Sequence, residues 1–224
     1  MRTSFEDPIE ICIAPLLRIA ATQNSYDLTD VSAVVFTSEN GVRFAPNGEG
    51  LLAFCVGDRT AAAAKTKGYK ARSAGGAVQD LLQMLFDELP DLRTEDPITG
   101  DVLHIRGQDT VGDVSHQLRS AGIPARDAVV YQQVAQAFQD EHAVWLKAHT
   151  HVIAPVFSPK SASALLKALE MLPESALGRI DLVAMSAAVG DVLEKSGYQP
   201  EIVAQPTGAA MLKGVTDRLR ACSA

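Results

Sequence analysis

Two stretches about 120 residues apart share one plan, and that plan limits the folds open to this chain. "VVFTSENGV" (34–42) and "VIAPVFSPKSASAL" (152–165) each run an apolar segment into a small hydroxyl residue, Ser38 or Ser158, and then open a helix. A second pair extends the match: "FCVGDRTAAAAKTKGY" (54–69) aligns without gaps on "VAMSAAVGDVLEKSGY" (183–198), with both Gly-Tyr pairs coinciding. Two copies of a βαβαβα unit emerge, the layout of an internal duplication. Strands alternating with helices predict parallel, doubly wound α/β sheets.

Strands are predicted at Ile9–Ala14, Ala33–Thr37, Ala53–Val56, Ala71–Ala74, Val102–Ile105, Ala128–Tyr131, His151–Ala154, Leu182–Met185 and Glu201–Ala204. Helix-like segments between them close on Gly68, Gly122 and Gly197, the residue type found just past helix ends. The first copy continues with a further strand–helix–strand, "VLHIRGQDTVGDVSHQLRSAGIPARDAVVY". The second copy stops at Ala224, so the N-terminal "IEICIAPLLRI" is predicted to complete its domain. The predicted organisation is one discontinuous domain, 1–16 plus 135–224, and a second, 20–131, joined by hinge strands at 15–19 and 131–135. The same unit calls for a strand and a helix before Ile9, and "MRTSFEDP" is too short for both. The expectation is therefore that the sequence starts inside that helix.

Composition narrows the function classes. Hydrophobic content of 47% with 21% charge is ordinary for a soluble globular protein. A net charge of −7 argues against a nucleic-acid binder, and no apolar run reaches the roughly 20 residues of a membrane span. Three scattered cysteines, Cys12, Cys55 and Cys222, point to reduced thiols and a cytoplasmic location, with Cys12 and Cys55 expected in the core.

Ligands of open α/β sheets bind beyond the carboxyl ends of the strands. The loops there, Thr37–Val42, Gly57–Thr60, Arg106–Asp109, Ser158–Ser161 and Ser186–Ala188, are rich in Ser, Thr, Gly and backbone amides. Such loops suit carboxylates or phosphates, and Arg43, Arg59, Arg106 and Lys160 are the nearby cations. Ser38, Thr60 and Ser158 read equally as plain helix caps, and Tyr131 as a plug or as a hydroxyl offered to a ligand. His149 and His151 lack the partners of a metal site, His104 reads as a residue of the sheet, and His116 and His142 as surface residues. No dinucleotide fingerprint, phosphate loop or nucleophile elbow occurs, so no cofactor or metal is expected. Any catalysis would rest on positioning a ligand.

The ordered set "VVFTSENGV", "CVGDRTA" leading to "KGY", "VLHIRG", "AGI…AVVY", "FSPKSA" and "QPTGAAML" resembles the uroporphyrinogen-III synthase family over nearly the whole chain. The resemblance implies two α/β domains joined by a two-stranded connection, with the active site between them. It implies closure of hydroxymethylbilane, a linear tetrapyrrole with eight carboxylates, with loss of water and inversion of ring D. No cofactor is implied. The family's tyrosine falls on Tyr131, where it would assist departure of the hydroxyl. Thr37, Ser38, Gly57, Thr60, Arg106, Gly107 and Ser158 fall on its substrate loops, with Lys160 and Ser186 beside them. Two departures stand out. The family's opening strand ending in Thr-Arg-Pro is absent, and the second copy carries Ser186 and Val189 where Gly and Thr are usual. A monomer supplied by hydroxymethylbilane synthase is expected. The rival readings are a two-lobed binding protein for an anionic small molecule and an inactive truncated family member.

Overall fold

The computed structural model describes residues 9–24, 26–95, 100–109, 112–172 and 178–222. The chain divides into two compact units, one of Ile19–Val134 and the other of Met1–Arg18 with Ala135–Ala224. Both are α/β, with parallel strands alternating with helices.

The sheet of the first unit is built from β1 (Leu17–Ala21), β2 (Val31–Phe36), β3 (Leu52–Cys55), β4 (Lys70–Ser73), β5 (Asp101–Gly107) and β6 (Ala125–Ala135), in the order β1-β6-β5-β2-β3-β4. The strands β2 to β6 pair in parallel. The bonds Thr22 N to Val130 O and Gln136 N to Leu16 O set β1 antiparallel to β6. Parallel strands covered on both faces favour apolar residues on both sides, which is why β2 carries the run Ala33–Phe36 and β5 is apolar at Val102, Leu103 and Ile105. Val34, Phe36, Leu103 and Ile105 face one side, where they meet α1 (Glu39–Phe44) and α2 (Asp58–Thr66). Ala33, Val35, Phe54 and Val102 face the other, against α3 (Val78–Glu95) and α4 (Val114–Ser120). Successive strands β2, β3 and β4 step in one direction, and β5 then returns to the other side of β2. The switch in winding direction therefore lies between β2 and β5, and a crevice for ligands opens beyond their carboxyl ends.

The second unit holds β7 (His151–Val156), β8 (Arg179–Ala184) and β9 (Glu201–Ile202), parallel and in that order. Leu182 and Ala184 pack with α6 (Pro159–Glu170) and α7 (Ala187–Glu194). A Cβ at Gly214 of α8 (Gly208–Cys222) would meet Val183 Cγ1 at 2.9 Å, so α8 lies close on the opposite face.

The duplication is visible bond by bond. Gly68 and Gly197 both take positive φ, +85° and +86°. The following amides reach back identically, Tyr69 N to Ala64 O at 3.1 Å and Tyr198 N to Leu193 O at 3.2 Å. These are the six-to-one bonds of Schellman helix ends.

Several sequence expectations are corrected. Ile9–Ala14 forms no strand: Ile11 and Ile13 are 82% and 81% exposed, and the first strand starts at Leu17. A strand needs a neighbour for its backbone groups, and β6 supplies one only from there on. Cys12 is accordingly half-exposed and not a core residue, whereas Cys55 is buried. A helix absent from the sequence reading, α5 (Asp140–Ala148), starts at Gln139 through a box in which Gln139 N donates to His142 Nδ1 at 3.1 Å. His142 is therefore buried (8%) and not a surface residue. The expected shortness of the start concerns residues 1–8, which lie outside those described.

Candidate functional site

The turn from β2 into α1 stands at the switch point, and its two hydroxyls are tethered in different directions. Ser38 is the N-cap of α1: its backbone is extended and its Oγ accepts from Gly41 N at 3.1 Å. The same Oγ lies 2.9 Å from the phenolic oxygen of Tyr131 on β6. The Tyr131 ring stacks on Phe44 at 5.9 Å with an interplanar angle of 24°. Gly107, at the end of β5, backs the ring, because a Cβ there would stand 2.6 Å from Tyr131 Cζ.

Tyr131 reaches this place through an irregularity in β6. Asp127, Ala128 and Val129 pair with His104, Ile105 and Arg106, but Gly107 pairs with Tyr131, so Val130 is an extra residue. Strand residues alternate faces, which would put Tyr131 with Asp127. The extra residue turns Tyr131 to the face of Ala128 and Val130, where it packs on the α1/α2 core. Thr22 pins the bulge: its Oγ1 donates to Val129 O at 2.6 Å, and its amide to Val130 O at 3.0 Å.

On the opposite face Thr37 Oγ1 lies 3.2 Å from His104 Nε2, and His104 is buried to 2% exposure. The other ring nitrogen, Nδ1, lies 3.2 Å from Asp127 Oδ1, within ion-pair distance but outside hydrogen-bond geometry. Asp127 Oδ1 also accepts from Arg106 Nε at 2.9 Å and from the buried Ser115 at 3.0 Å. His104, then Arg106 and Ser115, hold the Asp127 carboxyl well below the usual carboxylate range, against the opposing effect of burial. A cavity of about 480 Å³ opens beside this cluster, lined by His104, Arg106, Gln108, Gly112, Asp113 and Asp127.

The remaining candidates occupy separate helix starts. Gly57 caps α2 with extended backbone, and a Cβ there would meet only ordinary contacts. That explains how its twin, Ser186, caps α7 with the same backbone. Thr60 is 5% exposed and its twin Val189 1%, so both positions are buried and the Thr/Val exchange sits in the core. Arg106 is tied to Asp127 and to Gly107 O, the latter at 3.0 Å. In the second unit Ser158 caps α6 by accepting from Ser161 N at 3.1 Å, while Ser161 Oγ donates back to Ser158 O at 2.9 Å; Lys160 follows within this first turn. Thus the first unit gathers Thr37, Ser38, Arg106, Gly107 and Tyr131 at one switch point. Gly57 and Thr60 start the next helix, and Ser158, Lys160 and Ser186 belong to the second unit.

His104, Asp127 and Phe44 were not candidates from sequence. The register pairing of His104 with Asp127 is the missing signal, and spacing along the chain does not disclose it. Arg43 lies over the Phe44 ring at 5.3 Å, and Arg59 pairs with Glu39 at 3.0 Å on the surface. Among the described residues no group of His, Cys, Asp and Glu is arranged to hold a metal ion, and no helix is long and apolar enough to cross a membrane.

The profile of the family described as Uroporphyrinogen-III synthase HemD matches residues 7–213. No curated protein sequence matches the chain. Among solved structures, the uroporphyrinogen-III synthetase of Helicobacter pylori is similar with a TM-score of 0.56 and 19% identity, covering 91% of each chain. A mutant uroporphyrinogen III synthase from Thermus thermophilus aligns with a TM-score of 0.40 and 14% identity, over 92% of this chain and 88% of that one. At 19% identity the likeness to the Helicobacter pylori structure speaks to the fold, and the profile to the family.

Proposed function

From the premise that this chain belongs to the uroporphyrinogen-III synthase family, we propose how its residues carry the family reaction. The chain is a cyclising lyase of tetrapyrrole synthesis, closing hydroxymethylbilane to uroporphyrinogen III with loss of water. The observation that carries the proposed chemistry is the Ser38–Tyr131 hydroxyl pair at the switch point of the sheet. With Ser38 donating to the phenolic oxygen, the Tyr131 O–H is released to hydrogen-bond the departing hydroxyl. The pyrrole nitrogen of ring A supplies the electrons that expel it, and the hydroxyl leaves as water with one added proton. The substituted α-carbon of ring D then attacks the resulting azafulvene. The spiro intermediate fragments, and ring D recloses turned over.

The pyrroles bring their own nucleophilicity, so the protein's task is to hold one conformation of a flexible chain. Backbone amides at the starts of α1, α2, α6 and α7 suit carboxylates, since at each start the first N–H groups and the positive end of that helix's own dipole point the same way. Thr37, Ser38, Gly57, Arg106, Gly107, Ser158, Lys160 and Ser186 are the proposed substrate-contacting positions, with Thr60 supporting the start of α2 from the core. A monomer acting in the cytoplasm on hydroxymethylbilane released by its synthase completes the reading.

The test supplies freshly generated hydroxymethylbilane to the purified chain, oxidises the products and separates the porphyrin isomers. Isomer III is expected. Isomer I alone, the product of spontaneous closure, from a folded chain would overturn the assignment.

A further inference from the structure

His104 and Asp127 are cross-strand partners on β5 and β6, and the histidine ring bridges from the carboxylate to Thr37. A buried neutral imidazole carries one proton, and what each nitrogen faces decides where it sits. Nδ1 faces an anionic oxygen at 3.2 Å, onto which Arg106 and Ser115 also converge. A lone pair aimed at that oxygen would repel it, whereas an N–H is attracted even at a bent angle. The proton therefore belongs on Nδ1, and Nε2 is left with a lone pair. Thr37 Oγ1, at 3.2 Å from Nε2, can satisfy that lone pair only by donating its own hydrogen. A hydroxyl whose hydrogen is committed inward offers only lone pairs outward.

Resting on the reaction assigned above, we propose that the Asp127–His104 pair fixes Thr37 as a hydrogen-bond acceptor, so that its side chain reads an N–H of the tetrapyrrole and not a carboxylate. The two neighbouring hydroxyls of the β2–α1 turn then have divided tasks. Ser38 releases a donor through Tyr131, and Thr37 presents an acceptor. A tetrapyrrole chain offers pyrrole N–H donors along its length as well as carboxylates, and an acceptor sorts between them. His104 and Asp127 are positioning residues that act through Thr37.

The experiment uses the full chain with ¹⁵N-labelled histidine, and long-range ¹H–¹⁵N correlation at neutral pH, with His104 identified by loss of its signals in His104→Gln. Protonated Nδ1 and bare Nε2 are expected, opposite to the tautomer that free histidine favours. An Nε2-protonated or doubly protonated ring would overturn the proposal. Steady-state kinetics on hydroxymethylbilane accompany it. Thr37→Ser is expected within about threefold of the parent, while Thr37→Val and Asp127→Asn raise KM about tenfold with kcat within about threefold. An unchanged KM in both Thr37→Val and Asp127→Asn, with circular dichroism showing folded protein, would overturn the role of Thr37. A parent chain inactive on hydroxymethylbilane but with Nδ1 protonated would overturn the assigned reaction and leave the tautomer relay standing.

Discussion

Gly107 leaves room for one neighbour in particular: a Cβ at this position would come within 2.6 Å of Cζ and 2.9 Å of the phenolic oxygen of Tyr131. The ring cannot simply retreat, because Phe44 stacks on it and Ser38 holds its oxygen. Gly107→Ala is thus expected to swing Tyr131 off Ser38 at a strain of about 1 kcal/mol. The activity loss should approach that of Tyr131→Phe, which removes the donor but keeps the stacking. Proton donation of this kind contributes about 10²–10⁴-fold. Isomer-III rates for both variants check this; full activity in Tyr131→Phe would confine the tyrosine to packing.

Thr22 tests the bulge separately. Thr22→Val keeps the shape but removes the 2.6 Å bond to Val129 O, while the amide bond to Val130 O remains. A thermal melt is expected to show a loss of about 1 kcal/mol. The isomer-III rate should fall further than such a loss explains, because Tyr131 depends on the bulge for its direction. Equal small effects on both would contradict this.

Two glycines at comparable places should respond differently. A Cβ at Gly41 would strike the Ile105 carbonyl oxygen at 2.7 Å, where α1 packs on β5. Gly41→Ala is expected to cost about 1–3 kcal/mol by overpacking. Gly57→Ala, with its nearest contact at 3.5 Å, should leave stability within about 0.5 kcal/mol. Urea midpoints of the two variants measure the contrast.

Stability should fall at both ends of the pH scale. Asp127 is more acidic folded than unfolded, so its contribution is complete above the ordinary carboxylate value near 4 and is lost as pH drops below it. Asp127→Asn should flatten the acid limb of the melting temperature. Burial pushes the Cys55 thiol up to about 12 from 9.0, and burial with Tyr26 nearby pushes the Tyr69 phenol up to about 12 from 10.0. Those contributions are complete below about pH 9 and are lost as pH rises toward 12. Tyr69→Phe and Cys55→Ala should each lessen the alkaline decline, read from melts between pH 8 and 11. An alkaline limb unchanged in both would refute the origin assigned to it.

The helix starts and stops were legible because each rests on one local signal. Ser38 and Ser158 end apolar runs and cap helices, and Gly68 and Gly197 take the positive φ that ends them. Gln139 is a poor N-cap signal by residue type, and the start of α5 rests on its exchange with His142, which spacing alone does not disclose. Ile9–Ala14 alternates like a strand, but alternation does not supply a neighbour, and none is present among the described residues. The partners of Tyr131 and Thr37 were hidden for a related reason. Ser38 lies 93 positions from Tyr131 and Thr37 lies 67 from His104, and only strand order and register bring them together.

The extra residue in β6 makes register, apart from side-chain identity, a variable that selects what the turn can do. A substitution at Val130 alters the packing of one buried side chain. A deletion there would restore regular pairing and still leave the phenol on the face of Ala128 opposite Gly107, whereas a slip of β6 past Gly107 that smooths the bulge with Val130 kept would carry the phenol through the sheet to the side of Asp127. What this segment cannot tolerate is therefore a change of register beyond Val129, more than a replacement or loss of Val130 itself. Two chains with the same residues here but a different register between β5 and β6 beyond Val129 would share a fold while aiming the tyrosine at opposite faces.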